Sequence, residues 1–321
     1  MGFHCFIVSM FPIALLLMGT GTALGQDYPF KPIRIITSGE GGGNDRTARN
    51  MARALTDSLG QPVTVENHQG GVAPGEVVAK AQPDGYTILV YNNTLWIGPL
   101  MQHAAYDASK DFAPIAELAR TPNVLVVSAE SPAKTVVELI ELAKVKPGEF
   151  KYGASGAGAA NHLAGALFGS MAGINIVAVV YKGSSAAITD LVGGRLQLMF
   201  PTTVSGAPHV KSGRLRALGV TSATPSTLMP GVPTVAASGL PGYEAITIFS
   251  AFAPAGTPRP VIGRLNAEMV RFITRADVKE AMFRDGMEVA GGTPAQLAAT
   301  MKSELVRMSK VIKDAGIRVS D

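Results

Sequence analysis

Short apolar runs and longer amphipathic stretches alternate in the first third of the chain. Ile33-Arg34-Ile35-Ile36-Thr37 has the apolar density of a buried strand, and residues 45–59 have the spacing of an amphipathic helix. Two further strands are predicted over 62–66 and 86–91, with a short helix over 74–81 between them. Strands that alternate with helices of this length predict a parallel α/β sheet.

The same alternation returns in the middle of the chain. Strands are predicted over 124–127, 151–154, 175–180, 196–200 and 215–220. Helices are predicted after the first three of these strands: one starts at Ser131-Pro132 and runs to 144, one runs to about 171, and one runs from Ser184 or Ser185 to Gly193. After a proline-rich stretch, residues 246–253 form a last strand and the remainder is helical. Leu297, Met301, Leu305, Met308 and Ile312 fall on one helical face, which we interpret as a core-packing face.

The C-terminal helices have no strands of their own, so we expect them to return to the first group of strands. The chain would then cross twice between two α/β lobes, near 120–125 and near 243–250. Two crossings act as a double hinge, and a ligand cleft lies between the lobes. The predicted division is 1–25 as a signal peptide, 26–122 plus 249–321 as the first lobe and 123–248 as the second lobe.

The first 25 residues have the pattern of a secretory signal. Residues 6–18 form an apolar run without Asp, Glu, Lys or Arg, and the small-residue pattern Ala23-Leu24-Gly25 follows. The run is shorter than the ~20 apolar residues that span a bilayer. We therefore predict cleavage and a periplasmic location, with an uncleaved membrane anchor as the alternative.

Charge and cysteine content remove several classes of function. The net charge of +4 comes from scattered basic residues, without the clusters that bind nucleic acid. Cys5 is the one cysteine, and cleavage would remove it with the signal peptide. The mature protein would then have no disulfide and no thiolate site. The histidines show no metal-ligand spacing, so no metal and no cofactor is predicted. A mildly basic chain favours anionic ligands weakly.

The candidate site residues lie where a predicted strand runs through glycines into a predicted helix. Glycines permit close backbone approach, and a helix start offers unpaired N–H groups to an anion. Junctions from both lobes would point amides into one cleft. The predicted ligand-binding residues are Gly41, Gly42, Gly43, Asn44 and Asp45, then Ser155, Gly156, Ala157, Gly158 and Asn161, then Tyr181 and Lys182, with Asn93, Thr94 and Thr202 added on closure.

Several of these residues have more than one interpretation. Asp45 is a helix cap or a ligand contact, and Lys182 pairs with a ligand carboxylate or stays solvated. Gly39-Glu40-Gly41 begins a dinucleotide motif, with Glu66 as the ribose-binding acid, but Asn44 replaces its third glycine. Ser155 resembles a hydrolase nucleophile in a G-x-S-x-G motif that fails at Ala157. A secreted serine hydrolase and a ligand-sensing receptor without transport are thus the alternatives to a transport receptor.

At these junctions the sequence resembles the tripartite tricarboxylate transporter receptor family, also called Bug proteins. The resemblance covers essentially the whole mature chain, and it is the combination of motifs that is specific. The stretches that carry it are Tyr28-Pro29-Phe30-Lys31-Pro32-Ile33, Gly41-Gly42-Gly43-Asn44-Asp45-Arg46-Thr47-Ala48-Arg49, Pro83-Asp84-Gly85-Tyr86-Thr87, Tyr181-Lys182-Gly183-Ser184-Ser185-Ala186-Ala187 and Ala253-Pro254-Ala255-Gly256-Thr257-Pro258.

The resemblance implies a type II periplasmic-binding-protein-like fold. It also implies a non-enzymatic protein that holds a carboxylate through backbone amides, hydroxyls and waters, and that delivers it to membrane permease subunits. We expect the protein to be a monomer. The chain departs from the family pattern at Thr37-Ser38, at His68 and Gln69, and at Ala159, where a hydroxyl residue is common. We therefore expect a di- or tricarboxylate, or else an aromatic or amino-acid carboxylate.

Overall fold

A computed structural model describes residues 1–2 and 28–314 of the protein. Apart from its first two residues, the predicted signal peptide lies outside the described residues, as does Cys5. Within the described part, none of the helices has the length and apolar character needed to cross a membrane.

Strands and helices alternate along most of the described chain. In chain order the strands are β1 (Ile33–Ser38), β2 (Val63–His68), β3 (Thr87–Asn92), β4 (Phe112–Pro122), β5 (Val124–Ser128), β6 (Phe150–Ala154), β7 (Ile176–Val180), β8 (Leu198–Met199), β9 (Leu215–Val220), β10 (Ile246–Pro254) and β11 (Glu288–Val289). The helices are α1 (Gly43–Leu59), α2 (Ala73–Ala79), α3 (Thr94–Ile97), α4 (Val136–Val145), α5 (Ala160–Ala172), α6 (Ser184–Val192), α7 (Thr203–Lys211), α8 (Arg259–Ile273), α9 (Ala276–Arg284) and α10 (Pro294–Asp314).

The strands form two sheets, one for each lobe. The first sheet has the order β11-β4-β10-β3-β1-β2, and the second has the order β7-β6-β8-β5-β9. β1 pairs in parallel with β2 and β3, as the alternation predicts, whereas β10 runs antiparallel to both β3 and β4. In the second sheet β6 is parallel to β7 and β8, and β5 is antiparallel to β8 and β9. Both sheets are therefore mixed, and the predicted two-lobed α/β class is confirmed.

The chain passes between the sheets at two adjacent places. β4 ends at Pro122 and β5 begins at Val124, so Asn123 occupies the first crossing. The return is made between Ala245 and Ile246, where β10 begins opposite Pro122. The exact lobe boundaries stay a prediction, although Ile246 already belongs to the first sheet.

Apolar clusters cover both faces of each sheet, and two of them are shared between the lobes. Val204, from α7 of the second lobe, packs into the cluster under β1 and β10, together with Phe249 and Met287. Leu163, from α5, packs into the cluster that surrounds Trp96 on the other face of the first sheet. The lobes are therefore joined by apolar packing as well as by the two crossings.

The predicted apolar face of the last helix is confirmed as core packing. Four of its five residues are buried against the Trp96 cluster, and Leu305 is partly buried there; the buried four are Leu297, Met301, Met308 and Ile312. Their spacing turns one side of α10 toward the first sheet. The C-terminal helices thus return to the first lobe, as expected.

The prediction for the start of α4 was wrong. The helix begins at Val136, and its cap is Thr135, whose Oγ1 accepts a hydrogen bond of 3.1 Å from the Glu138 amide. Ser131 instead accepts from the Ala133 amide in a local turn. The Thr-x-x-Glu spacing favours this start, because Thr135 bonds the Glu138 amide while the Glu138 carboxylate reaches back to the Lys134 amide just before the cap.

Candidate functional site

Four helices of nine or more residues, from both lobes, begin at one cavity between the lobes, and the four-residue α3 also begins there at Thr94. α1 comes from the first lobe, and α5, α6 and α7 come from the second. The residues that line the cavity are Ser38, Gly39, Gly42, Gly43, Asn44, Gly70, Gly71, Tyr91, Asn92, Thr94, Asn123, Ser155, Ala159, Ala160, Asn161, Gly183, Ser184, Thr202, Thr247 and Phe249. The first turn of an α-helix leaves its N–H groups without intrahelical partners, so each of these helix starts can offer donors at the cavity, although the Ala160 amide of α5 already donates to Thr94 Oγ1.

The chemistry of this cavity suits an anion although none of its lining side chains is charged. Each helix N-terminus carries the equivalent of roughly half a positive charge. Four of them supply a favourable potential without any lysine or arginine. The cavity measures about 40 Å³, which is room for a few water molecules. A ligand with several carbons would need more room than this cavity offers.

The start of α1 is shaped by close backbone packing. An added Cβ at Gly43 would lie 2.6 Å from the Phe249 ring, so a side chain at this position would collide with the floor of the cavity. Asn44 is 9% exposed and donates from Nδ2 to Ser38 Oγ at 2.9 Å. The end of β1 and the start of α1 are thus fixed against β10.

The Asp45 carboxylate has a structural role at the same helix. Oδ2 accepts from the Gly41 amide at 3.1 Å, and Oδ1 accepts from Asn67 Nδ2 at 2.8 Å and pairs with Arg49 at 3.0 Å. Burial by itself raises the pKa of the Asp45 carboxyl, but the hydrogen bonds from Arg49, Asn67 and Gly41 outweigh it and hold that pKa below its usual value. The carboxylate closes the glycine loop onto α1.

We expect Asp45→Asn to lower the free energy of unfolding at neutral pH. The folded pKa of Asp45 is depressed, so its charged form stabilises the protein above the unfolded pKa, and this contribution disappears as pH falls through the folded pKa. Urea unfolding at a series of pH values should show wild type and variant converging in acid. Asp57→Asn, at an exposed position, is the control. A stability difference that does not change with pH would contradict the assignment.

The α5 junction joins the lobes through hydrogen bonds. Ser155 donates from its amide and from Oγ to Asn161 Oδ1, at 3.2 and 3.1 Å, which folds the loop over the helix start. The Ala160 amide donates to Thr94 Oγ1 of the first lobe at 3.0 Å. Gln102 Nε2, also from the first lobe, donates to the Ala157 carbonyl at 3.1 Å.

Glycine backbones bring the two lobes into direct contact at the cavity rim. An added Cβ at Gly71 would lie 2.5 Å from the Ala157 carbonyl oxygen, and one at Gly156 would lie 2.9 Å from the Gly71 nitrogen. On the opposite rim, an added Cβ at Gly39 would lie 2.7 Å from the Lys182 carbonyl oxygen. The structure therefore shows the lobes closed on each other.

Ser155 is not arranged as a nucleophile. Its hydroxyl donates to Asn161, and the nearest imidazole in its loop, that of His162, accepts from the Gly158 amide through Nδ1 at 3.1 Å. Burial lowers the pKa of His162, so the ring stays neutral and structural at neutral pH. The hydroxyl and the imidazole are thus each engaged elsewhere.

The structure brings part of the predicted site together. Seven predicted residues line the cavity: Gly42, Gly43, Asn44, Thr94, Ser155, Asn161 and Thr202. The other eight surround it without lining it: Gly41, Asp45, Asn93, Gly156, Ala157, Gly158, Tyr181 and Lys182. All fifteen ligand contacts stay predictions, but several of the eight have other partners.

Two of these eight residues form hydrogen bonds with other parts of the protein. The Tyr181 hydroxyl donates to Asp190 Oδ2 at 2.8 Å, and Asn93 Nδ2 donates to the Ile246 carbonyl at 3.0 Å. The Lys182 side chain is exposed, which fits the interpretation that its ammonium group stays solvated. Gly156 and Ala157 take part in closing the rim, as described above.

Sequence reasoning missed most of the cavity lining. Gly70 and Gly71 follow β2 in the same strand–glycine–helix pattern that singled out the other junctions, so the signal was present. No such signal marks Asn123, Thr247 and Phe249. Thr247 and Phe249 reach the cavity because β10 lies beside β3 in the first sheet, and Asn123 reaches it because it occupies the first crossing.

Other candidate chemistries find less support. Among the described residues no group of three or more His, Cys, Asp or Glu side chains is placed to hold a metal ion. The Glu66 carboxylate, the candidate ribose ligand, pairs with Arg34 at 3.1 Å and His68 at 2.8 Å. A larger groove of about 720 Å³ lies along α4, but three carboxylates, those of Glu138, Glu141 and Glu149, line it against one ammonium group, that of Lys146, and this excess disfavours an anion.

Comparisons with known proteins agree with this geometry. Residues 47–317 match the family model described as the tripartite tricarboxylate transporter family receptor. The chain is 40% identical over 290 residues to the UPF0065 protein in the tcbD-tcbE intergenic region of Pseudomonas sp. (strain P51), covering 89% of this chain and 86% of that protein.

Two solved structures share the fold. One is R. palustris Rpa4515 with adipate, with a TM-score of 0.86 and 32% identity, covering 91% of this chain and 99% of that one. The other is MatC (Rpa3494) from Rhodopseudomonas palustris with bound malate, with a TM-score of 0.85 and 26% identity, covering 89% and 100%. The protein with the four convergent helix starts therefore belongs to the tripartite tricarboxylate transporter receptor family, as its motifs predicted.

Proposed function

We propose that the protein is a receptor that captures a small carboxylate between its two lobes for uptake by a membrane permease. The observation that carries the proposal is the convergence of four helix N-termini, from both lobes, on a cavity without charged side chains. Such a site stabilises an anion by fixed dipoles and backbone N–H groups. The adipate and malate bound to two similar structures belong to the same chemical class.

The second part of the proposal is that the ligand is bound and released unchanged. The Ser155 hydroxyl donates to Asn161, and His162 Nδ1 accepts from a backbone amide. A hydrolase needs its base within hydrogen-bond reach of its nucleophile. Ser155→Ala should therefore leave any background hydrolysis of p-nitrophenyl acetate unchanged, whereas loss of a measurable turnover in this variant would favour the hydrolase.

The third part of the proposal concerns location and partner. Cleavage of residues 1–25 would release a periplasmic protein, and membership of a transporter receptor family supports a membrane permease as its partner. Closed lobes present a joint surface to such a partner, whereas open lobes do not. Amino-terminal sequencing of the protein from a periplasmic extract tests the cleavage, and a chain that still begins at Met1 would contradict it.

Calorimetry against a panel of carboxylates tests the binding itself. We expect saturable binding of at least one mono-, di- or tricarboxylate to the mature protein, with retention of the ligand in closed lobes. The matched uncharged amides of the same acids are the control, because they lack the anion that the helix starts recognise. Absence of binding by every carboxylate, or equal binding of the amides, would overturn the proposal.

A further inference from the structure

The groove along α4, on the outside of the second lobe, is open to solvent and largely apolar. It measures about 720 Å³, and we call it the α4 groove. Its lining consists of the apolar residues Pro132, Val137, Leu142, Val145 and Phe150 and the polar residues Glu138, Glu141, Lys146, Glu149 and Gln197. Contiguous apolar surface with a polar rim is typical of an interaction site on a soluble protein.

The outer face of α4 is apolar where a helix with a single packing partner would be polar. The inner face packs into the apolar cluster of the second lobe through Val136, Leu139 and Ile140. On the outer face Val137 is 51% exposed and Val145 is 80% exposed. A surface helix normally keeps its apolar residues on the side toward the core. The two outer valines therefore indicate a second packing partner.

The charges of the α4 groove favour a basic partner. Three carboxylates line it against one ammonium group, which pairs with Glu149 at 3.7 Å and belongs to Lys146. Lys144, outside the lining, pairs with Glu141 at 3.0 Å. The Glu138 carboxylate accepts from a backbone amide, and it forms none of the ion pairs between described residues. Its negative charge is thus in excess, and a Lys or Arg side chain of a partner would complement it.

From this combination we propose that the α4 groove binds a basic amphipathic helix of a partner protein. Val137, Glu141 and Val145 follow one another at intervals of four residues, so they form one ridge along α4. A helix lying beside this ridge would cover both valines with apolar side chains and would bring Lys or Arg side chains to the carboxylates of the rim. Docking of an amphipathic helix in an apolar groove is a common mode of protein recognition.

The α4 groove lies at the opposite end of the second sheet from the interlobe cavity. Phe150 lines the groove at the first residue of β6, whereas Ser155 lines the cavity just after β6 ends. Five residues of extended strand separate these two positions by about 16 Å. The groove is built from one lobe and does not depend on closure. The inference therefore goes beyond the proposed carboxylate binding and is tested separately from it.

Fluorescence anisotropy of two labelled peptides with the mature protein tests the inference. Both peptides are amphipathic helices of about 14 residues with leucine at the same positions, and their polar positions are lysine in one and glutamate in the other. We expect the lysine peptide to bind at least about tenfold more tightly, although the net charge of +4 on the chain repels it at long range. Equal affinities, or no binding of the lysine peptide, would overturn the inference.

Reversal of two charges locates the effect at the groove. Glu141→Lys combined with Glu149→Lys should invert the preference, so that the glutamate peptide binds more tightly. Glu138 is left unchanged because its amide and its carboxylate both bond at the start of α4. Glu280→Lys combined with Glu288→Lys is the matched control, because both residues are exposed in the first lobe and the net charge changes equally. A retained lysine preference in the groove variant, or an inversion in the control, would overturn the inference.

The apolar part of the groove is tested by Val145→Ser. We expect this variant to bind the lysine peptide about tenfold more weakly, which is the effect of removing one buried valine side chain. Val306→Ser on α10 is the control, because Val306 is also exposed but lies outside the groove. Unchanged affinity in Val145→Ser would overturn the inference. Sedimentation of the protein without peptide covers the other occupant: a dimer that Val145→Ser dissociates would assign the groove to a second copy and would also overturn the inference.

Discussion

Gly156→Val should weaken carboxylate binding at least about 100-fold, which corresponds to ~2.7 kcal/mol, while the protein stays folded. An added Cβ at Gly156 would lie 2.9 Å from the Gly71 nitrogen and 3.0 Å from the Gly70 carbonyl carbon. Those are backbone atoms of the other lobe and cannot turn aside as a side chain can. Gly156 is not among the glycines with a positive φ, so the substitution does not incur the strain of a left-handed backbone. The substitution therefore blocks closure specifically.

Open lobes leave the ligand with the donors of one lobe. α1 belongs to the first lobe and α5, α6 and α7 to the second, so separation of the lobes removes part of the helix-dipole field that acts on the ligand carboxylate. Calorimetry gives the loss of affinity, and small-angle scattering should show that ligand no longer reduces the radius of gyration. Gly263→Ala on α8 is the control, because its added Cβ meets nothing within 4 Å. Wild-type affinity in Gly156→Val would show that rim contact is not needed for binding.

The fold could be predicted where neighbours in sequence are neighbours in space. β1, α1, β2, α2 and β3 follow one another through glycine turns, and their apolar runs predict them directly. β4 was missed because it pairs with β10, more than a hundred residues away, and because Glu117 and Arg120 interrupt its apolar run. α7 was missed because Gly206 and Pro208 lie inside it, where they weaken a helix pattern.

The site could be predicted to the level of the helix starts but not of individual side chains. Glycine-rich junctions indicate where amides face a ligand, and this is why Gly42, Gly43 and Ser155 lie at the cavity. Which of two neighbouring residues faces inward depends on the end geometry of a strand. Asn92 lines the cavity, for example, whereas Asn93 donates to the Ile246 carbonyl behind it. Phe249 enters through a long-range antiparallel pairing that local sequence does not encode.

The crossing at Asn123 is the position where we expect the largest loss of stability. Asn123 is 1% exposed, and its Nδ2 donates to the Ala245 carbonyl at 3.3 Å while its Oδ1 accepts from Thr247 Oγ1 at 2.9 Å. The side chain thus ties the first crossing to the second. Asn123→Ala would leave the buried Thr247 hydroxyl without its acceptor and would remove one of two donors from the Ala245 carbonyl, which keeps Thr221 Oγ1. We expect the free energy of unfolding to fall by about 1–3 kcal/mol, the cost of one unpaired buried polar group.

Urea unfolding of the ligand-free protein measures this loss. Asn175→Ala, at an exposed asparagine in the same lobe, is the control and should change stability by less than about 0.5 kcal/mol. Thr247→Val removes the donor to Asn123 Oδ1 from the other side, so the two substitutions should be non-additive in a double-mutant cycle. Additive losses would mean that the two crossings are stabilised separately. In that case closure would not depend on a hydrogen-bonded hinge, and the shared apolar contacts of Val204 and Leu163 would be what holds the lobes in register.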